Sequence, residues 1–489
     1  KKKPLYSINT YTLTHMAQIP IKVKKTLDRL NKENDGYFEI KVIKGHYYVY
    51  KSTSEYDKIR KRPRKITQYI GKIALDGTFK RKKTKLTIQE TNREIFEYAN
   101  CILAHHFLRD VEEILQKSTP YYKEIIAATI IKAIDPQPIR LYSSRWEKFY
   151  ISQQIDVSLL PKHMSNVMEL LGREIRLWYE LFSKLTTGND FLLYDLTSIF
   201  TYSRMIKLAE KGYNSDHEYI DQIGVVMAFS TRDQIPVGVE VYHGSIKDIS
   251  TLKDFLNRYP NRDIGFIFDR GFSSYKLLKE FKKDKTHYIV PLKKNSKYMD
   301  LRWTRWKGTF SYRKRPIRWT KKKTEDGYVY LFDDPKLRGE EESSLLRKVE
   351  KGKLAMKEFE EKKKVAGIIG ILSDLDREGM EIFDLYKSRE DVELAFDALK
   401  NHLDSDKTYL QTSEGIRGYF FISFLALRVY FSILKRLREK NLTSKISVGE
   451  VLFELSKVML ISEKNGRKYL AKIPKRAHRM IELFPEALP

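Results

Sequence analysis

Residues 191–195 (FLLYD) and 264–269 (IGFIFD) are short apolar runs, and each of them ends in an aspartate. Runs of this length and composition are typical of strands that are buried inside a protein. Two more such runs, residues 224–230 (GVVMAFS) and 235–243 (IPVGVEVYH), lie between them. The sequence therefore predicts three consecutive strands and then a fourth, with an acid at the end of the first and the fourth.

Helical and strand patterns alternate after the third run. The expected elements are helices at residues 250–259 and 274–283, strands at residues 287–292 and 366–373, and a helix from about residue 388. Three strands followed by alternating helices and strands indicate a mixed sheet with helices on its faces. We therefore expect an α/β core formed by residues 187–292 and 366–440.

A basic segment interrupts this order at residues 293–365. Its first part, residues 293–323, has thirteen Lys or Arg against one acid, Asp300, and aromatic residues lie throughout it. A strand-like run at residues 328–332 (YVYLF) and a charged helical pattern follow. We interpret residues 293–365 as a basic, β-rich insertion domain.

The remaining segments flank this core. Residues 1–88 are predicted to form a small basic module, mostly β, because residues 38–50 (FEIKVIKGHYYVY) alternate like a hairpin around a glycine. Residues 89–186 have the apolar spacing of helices and are a possible DNA-end-binding region. Residues 441–489 are predicted to be a C-terminal helical region, with one amphipathic helix at residues 447–461.

The chain is strongly basic. It has 92 Lys and Arg against 64 Asp and Glu, a net charge of +28, and such an excess favours nucleic acid as a partner. A solvated lysine-rich surface is the alternative. The most apolar stretch, residues 419–427, is shorter than the roughly 20 residues that span a membrane, so no membrane partner is expected. The lone Cys101 and a start without an apolar leader favour a reduced, cytoplasmic location.

Three acids are candidates for catalysis. Asp195 and Asp269 each follow an expected strand, and Glu393 lies on a later helix. Carboxylates bind Mg²⁺ or Mn²⁺, and two such ions about 4 Å apart can activate the nucleophile and stabilise the leaving oxygen of phosphodiester cleavage. Taken alone, a strand-end Asp is more often a cap or a turn residue, and a helical Glu is more often a surface charge.

Tyr386, Arg389, Glu393 and Lys400 follow one another at spacings of three, four and seven residues. At about 100° per residue, these four side chains share one face of a helix. Such a stripe is usually an exposed face with ion pairs. The functional interpretation is a metal-binding Glu with phosphate-binding Tyr, Arg and Lys beside it.

This stripe resembles the YREK signature of bacterial and archaeal insertion-sequence DDE transposases. Residues 195–198 (DLTS) and 269–272 (DRGF) resemble the motifs of that family's first and second acids. Further similar segments are GYNSDH at 212–217, Gln222, Pro236, HGSIKD at 243–248 and HYIVPLKKNS at 287–296. The resemblance covers roughly residues 190–434. Ser245 stands where Asn is common and Tyr419 where His is frequent, and neither belongs to the acid triad.

The resemblance implies a ribonuclease H-like core that is interrupted by the insertion domain. It implies that Asp195, Asp269 and Glu393 are the catalytic triad and bind two Mg²⁺ (or Mn²⁺) ions per active site. Tyr386, Arg389 and Lys400 match residues that position phosphates of the transposon end. Further DNA-binding candidates are Arg270, in the second motif, and Trp303, Trp306 and Trp319. The three tryptophans either stack on displaced bases or form the core of the insertion domain, and the sequence leaves both open.

By similarity, the enzyme binds double-stranded DNA with terminal inverted repeats and cuts one strand to leave a 3′-hydroxyl. That hydroxyl forms a hairpin, which is reopened before the end is joined to target DNA. A homodimer pairs the two ends, in a prokaryotic, nucleoid-associated setting. Two alternatives stay open: a domesticated DNA-binding protein that no longer cuts, and a ribonuclease H-like nuclease without strand transfer.

Overall fold

The computed structural model forms two compact units, Lys1–Thr91 and Asn92–Pro489. The described residues are 19–33, 37–57, 62–82, 93–186, 188, 190–201, 206–213, 219–244, 252, 254–255, 264–269, 281, 286–405, 407–408 and 410–489. Arg270 lies outside the described residues, as do most of the helices expected at 250–259 and 274–283 and parts of the segments at 212–217 and 243–248.

The elements have the following bounds in the described residues. The helices are α1 (Ile21–Glu33), α2 (Ala99–His106), α3 (Arg109–Ser118), α4 (Tyr122–Ile134), α5 (Tyr142–Trp146), α6 (Pro161–Arg173), α7 (Ile175–Leu185), α8 (Pro335–Glu350), α9 (Met356–Lys363), α10 (Gly379–Lys387), α11 (Glu390–Asp397), α12 (Ser413–Glu439), α13 (Val448–Leu455) and α14 (Lys475–Leu483). The strands are β1 (Tyr37–Ile43), β2 (His46–Asp57), β3 (Arg62–Ile73), β4 (Phe79–Arg81), β5 (Arg93–Glu97), β6 (Asp190–Thr201), β7 (Glu210–Tyr213), β8 (Tyr219–Ser230), β9 (Pro236–His243), β10 (Ile264–Ile267), β11 (His287–Pro291), β12 (Gly308–Tyr312), β13 (Arg315–Thr324), β14 (Gly327–Asp333), β15 (Ile368–Ser373), β16 (Lys407–Thr408), β17 (Met459–Glu463) and β18 (Lys468–Leu470). Short 3₁₀ turns lie at Ile139–Leu141, Tyr150–Gln153, Lys297–Met299, Leu301–Trp303 and Pro485–Ala487.

The first unit is an antiparallel sheet in the order β1-β2-β3-β4, with helix α1 on one face. Lys44 and Gly45 join β1 to β2 with φ angles of 50° and 78°, and a two-residue turn of this kind matches the twist of the two strands. A small core joins the sheet to the helix and consists of Val23, Phe38, Tyr47, Val49 and Ile73. The expected hairpin is present, and α1 is a helix that the mostly β interpretation of residues 1–88 did not include.

A large mixed sheet dominates the second unit. Its order is β12-β13-β14-β15-β11-β10-β6-β8-β7, with β9 paired to β8 and β16 paired to β6. Strand β6 has antiparallel β8 on one side and parallel β10 on the other, and β11 is parallel to β10. Helices pack against this sheet, so the prediction of a mixed α/β fold is confirmed.

Helices α2–α7 share the core of the second unit. Helix α12 crosses α4 and α6 at close range, and glycines permit the contact. A Cβ atom on Gly172 would lie 1.9 Å from the carbonyl oxygen of Glu414, and one on Gly418 would lie 2.1 Å from that of Met168. Residues 89–186 were expected as a separate helical region, but α4 and α6 of that region pack on the long helix α12.

The segment expected as an insertion domain extends the main sheet. Strand β14 pairs with β15, and β15 also pairs with β11, so β12–β14 continue the hydrogen-bonded ladder of the core. An unpaired edge of β15 would leave backbone groups without partners, and β14 satisfies them. Residues 293–365 thus differ from the predicted separate domain: they add three strands and helices α8 and α9 to the same compact unit.

The C-terminal segment also differs from its prediction. Ser447 and Glu450 form a reciprocal cap at the start of α13, but the helix ends at Leu455 and does not reach residue 461. Residues Met459–Glu463 instead form β17. This strand pairs with β18 and with β5, which lies more than 350 residues earlier in the sequence. Only the folded chain supplies that distant partner strand. Among the described residues, no helix combines the length and apolar character that crossing a bilayer requires.

Candidate active site

Asp195 lies within a strand and not at its end. Strand β6 continues to Thr201, because β8 pairs with it along its length and places Met227 opposite Asp195. The expected strand end at residue 195 was therefore wrong. Asp269 follows the end of β10 at Ile267, as the sequence predicted.

The sheet register brings these two aspartates side by side. Leu193 of β6 pairs with Ile267 of β10 in parallel, and each aspartate comes two residues later on its own chain segment. Neighbouring strands lie about 4.8 Å apart. Both carboxylates are half-buried, and an oxygen of Asp195 accepts a hydrogen bond from the backbone N–H of Leu196 at 2.9 Å.

The stripe that contains Glu393 is divided over several segments. Tyr386 lies near the end of α10, Arg389 lies in the junction before α11, Glu393 lies on α11, and Lys400 lies in a π-helical turn at Ala398–His402. The prediction that these four residues share one continuous helix was therefore wrong. The backbone tightens at the junction, where the Asp391 N–H donates to the Ser388 carbonyl at 2.9 Å.

Arg389 joins two of the three acids. One of its terminal nitrogens donates to Asp269, and the other donates to Glu393 at 2.6 Å. Burial lowers the pKa of Arg389, but the hydrogen bond to Glu393 and the charge of Asp269 outweigh burial and raise it above its ordinary value. The helix that carries Glu393 packs on β6 and β8, so Glu393 approaches the same sheet that carries Asp195.

This donor set suits a divalent metal in its chemistry, since carboxylate oxygens are the ligands that Mg²⁺ and Mn²⁺ prefer. Its present arrangement differs from a metal site. Within the described ranges, no three His, Cys, Asp or Glu side chains lie close enough together to hold an ion. The guanidinium of Arg389 lies between Asp269 and Glu393 and supplies positive charge there.

Helix α10 packs on strands β12 and β14. The ring of Phe383 on that helix lies 5.3 Å from Phe310, 5.1 Å from Tyr312 and 5.0 Å from Phe332, measured between ring centroids. Contacts of this kind add to the hydrophobic burial of the rings. The extension of the sheet therefore positions the helix that presents Tyr386.

The three candidate tryptophans have different surroundings. Trp319 is only 7% exposed, and its ring contacts Gly379 so closely that a Cβ there would lie 2.1 Å from it. A ring in this position belongs to the core. Trp303 and Trp306 are half-buried, and each has a cation over its ring: Lys322 at 5.4 Å from Trp303 and Arg318 at 4.8 Å from Trp306.

Lys132 lies close to the candidate site, and the sequence did not predict this. It is 3% exposed and donates to the Leu403 carbonyl at 3.0 Å and to the Tyr419 hydroxyl at 2.7 Å. Leu403 directly follows the π-helical turn that carries Lys400. Since these residues are far apart in the sequence, no local pattern could have predicted the contact.

Comparison with known proteins gives one family match and one similar solved structure. The profile of the family described as transposase DDE domain matches residues 182–429, slightly more than half of the chain. A solved structure that is similar to this chain is the cryo-EM structure of piggyBac transposase in a synaptic complex with hairpin DNA, with 11% sequence identity and a TM-score of 0.39. The match covers 74% of this chain and 80% of that one. A comparison with curated proteins finds no match.

Proposed function

Because this chain belongs to the transposase DDE domain family, we propose that it cuts and joins DNA with Asp195, Asp269 and Glu393 as its catalytic carboxylates. The observation that carries the proposal is the placement of the three acids on elements that meet at one sheet. The β6–β10 register sets the two aspartates side by side, and Arg389 links Asp269 to Glu393. We assign the core to the ribonuclease H-like class on the order β9-β8-β6-β10-β11.

Enzymes of this type generally use divalent metal ions, and we assign two Mg²⁺ (or Mn²⁺) ions to the three carboxylates. Bound there, the ions would activate the attacking oxygen and stabilise the leaving one. The residues of the chain supply the rest of the site. The sheet holds the two aspartates in register, and α11, which carries Glu393, packs on β6 and β8.

Arg389 has two possible partners in this proposal, the acids and DNA. The planar guanidinium suits a phosphate as well as a carboxylate, since both accept two parallel hydrogen bonds. A phosphate of the bound DNA end would draw Arg389 away from Asp269 and Glu393 and leave their charge available for cations. DNA binding and metal binding would therefore favour each other through this one side chain.

Tyr386 and Lys400 are proposed to contact the DNA backbone, and so is Arg270 of the second motif. Trp303 and Trp306 are the better candidates for stacking on a displaced base, because their rings are half-buried and accompanied by cations, whereas the ring of Trp319 is buried. Stacking on an aromatic ring contributes about 1–3 kcal/mol per base, which would offset the cost of unstacking a base in a hairpin.

The proposed reaction begins with the terminal inverted repeats of a mobile element and ends with insertion into target DNA. Cleavage leaves a 3′-hydroxyl, hairpin formation and reopening follow, and a homodimer pairs the two ends. We place these steps at the prokaryotic nucleoid. The YREK stripe and the net charge of +28 support this assignment, and the inverted repeats can be sought in the genomic flanks of the coding sequence.

The direct test is cleavage of a labelled duplex that carries one element end, with Mg²⁺ or Mn²⁺. Glu393→Gln and Asp195→Asn are expected to abolish nicks and hairpins while the protein still binds the duplex. Glu390→Gln is the matched control, because Glu390 lies on the same helix but pairs with Arg313 at 2.6 Å. Tight duplex binding without any cleavage by the unaltered protein would favour a DNA-binding protein that no longer cuts.

A further inference from the structure

The outer face of the first unit's sheet carries rows of tyrosine and lysine. Residues paired across neighbouring strands point to the same face. In one row Lys41 pairs with Tyr48, Tyr48 with Lys72, and Lys72 with Lys80. All three lysines are exposed and Tyr48 is half-buried. This row therefore places one aromatic ring among three positive charges at the surface.

A second row of the same face is aromatic. Tyr50 pairs with Tyr69, and the ring of Tyr69 lies 5.5 Å from that of Tyr50 and 5.8 Å from that of Tyr48, centroid to centroid. The three rings thus form a continuous half-buried patch. Lysines extend over it: Lys41 lies 4.5 Å from the Tyr50 ring and Lys82 lies 5.8 Å from the Tyr69 ring.

Glu39, an acid on this face, is already paired. Glu39 lies opposite Tyr50 and forms an ion pair with Lys65. Burial raises the pKa of Glu39, but its hydrogen bond to Lys65 and the nearby positive charge outweigh burial and lower the pKa. The patch therefore keeps its positive character. The opposite face of the sheet is the one that packs on α1, so the tyrosine–lysine face has no covering element within this unit's described residues.

We propose that this face, defined by Tyr48, Tyr50 and Tyr69 with Lys41 and Lys82, binds single-stranded DNA. Residues 1–91 contain 23 Lys and Arg against eight Asp and Glu, so the charge is complementary to a polyanion. Aromatic rings with lysines around them match a strand whose bases are unpaired, because each base offers a flat face to a ring and each phosphate offers a charge to an amine. Duplex DNA keeps its bases stacked and offers none to the rings.

The choice of DNA over RNA rests on the proposed function, since hairpin formation at an element end displaces bases from the duplex. The site is separate from the acid triad and lies in the other compact unit. It would hold one strand while the catalytic unit acts. Its test therefore has to leave the triad and its metal out of the measurement.

The test measures binding of a short fluorescent oligo(dT) to the full chain in EDTA, with fluorescence anisotropy as the readout. Replacing Tyr48, Tyr50 and Tyr69 together by Ala is expected to weaken binding by about tenfold or more, because stacking on each ring is lost. The corresponding Tyr→Phe variant keeps the rings and is expected to bind like the unaltered protein. Phe453→Ala, an exposed aromatic of the second unit (63% exposed), is the aromatic control.

The lysines are tested through salt dependence. Lys41→Gln with Lys82→Gln is expected to reduce the slope of log affinity against log salt by about 1.4, since each phosphate contact to a single strand contributes about 0.7. Lys24→Gln with Lys25→Gln removes the same charge from exposed positions on α1 and is expected to change the slope little. Equal effects of the two pairs would overturn the proposal, because they would indicate general charge and not this face.

Photocrosslinking locates the strand independently of any variant that fails to fold. Oligonucleotides containing 5-bromodeoxyuridine are expected to crosslink to peptides that contain Tyr48, Tyr50 or Tyr69. Crosslinks confined to the second unit, or tighter binding of oligo(U) or duplex than of oligo(dT), would overturn the proposal. Since no cleavage is measured, loss of this binding and loss of the transposase function are distinguishable: the acid variants are expected to retain full oligo(dT) binding.

Discussion

Removal of Arg389 is expected to make the DNA-free protein bind divalent metal more tightly. In the structure this arginine contacts both Asp269 and Glu393, so a cation that uses those carboxylates must first displace it. Arg389→Ala removes the competitor and leaves two carboxylates near each other without a counter-charge. Their mutual repulsion then favours any cation that binds between them.

The size of the effect follows from the exposure of the groups. The side chains of Asp269 and Glu393 are 41% and 55% exposed, and that of Arg389 is 23% exposed. Two charges at 4 Å attract each other by about 4 kcal/mol at an effective dielectric of 20 and by about 1 kcal/mol in water. Because solvent screens these half-exposed pairs, the attraction in each pair is close to the value in water, at about 0.5–1 kcal/mol. Loss of both pairs corresponds to a gain in metal affinity of about tenfold.

The assay measures Mn²⁺ binding to the DNA-free protein by electron paramagnetic resonance or calorimetry. Arg438→Ala is the matched control, because Arg438 of α12 pairs at 2.6 Å with Asp391 of α11, the helix that carries Glu393, and not with Asp269 or Glu393. Arg389→Lys keeps the charge and is expected to bind Mn²⁺ more like the unaltered protein. If Arg389→Ala bound Mn²⁺ no more tightly than the unaltered protein, the idea that Arg389 competes with metal would be refuted.

Three further predictions concern the surroundings of the site and the core. Lys132→Met removes the buried donor to the Leu403 carbonyl and is expected to lower the free energy of unfolding by about 1–3 kcal/mol in urea denaturation; an unchanged midpoint would contradict it. Gly172→Ala places a methyl group against the backbone of α12 and is expected to cost about 3 kcal/mol, whereas Gly339→Ala, with nothing within 4 Å, is expected to stabilise α8 by about 0.5–1 kcal/mol. Thermal unfolding of the two variants distinguishes them, and equal shifts would refute the assigned contact. Burial raises the pKa of Cys101 to about 12, so a thiol reagent at pH 8 is expected to label this residue only when denaturant unfolds the chain; rapid labelling of the native protein would show that the thiol is accessible.

Local sequence determined most of the elements. The apolar runs at residues 191–195, 224–230, 235–243 and 366–373 fall wholly or largely within strands, since period and composition carry that information directly. The two-residue turn at Lys44 and Gly45 is equally local. The bounds were less certain where pairing decides them: β6 extends past Asp195 because β8 provides a partner along its length.

Motif spacing also indicated the three acids, but it did not predict the contacts that their side chains make. Spacing on an ideal helix put Arg389 and Glu393 on one face, and they do form an ion pair. It gave no sign that the helix breaks at Ser388 and Arg389, or that Arg389 also reaches Asp269 from a distant part of the chain. That contact depends on how α11 packs on the sheet, which no spacing within one segment contains.

The sequence by itself determined the kinds of side chain, the local periods and the order of the elements. The tertiary structure alone decided that β12–β14 continue the main sheet, that β17 pairs with β5, and that Lys132 supports the turn after Lys400. The physical reason is the range of the forces involved. Propensity, capping and turn geometry act over a few residues, whereas strand pairing and the satisfaction of buried polar groups join residues that only the folded chain brings together.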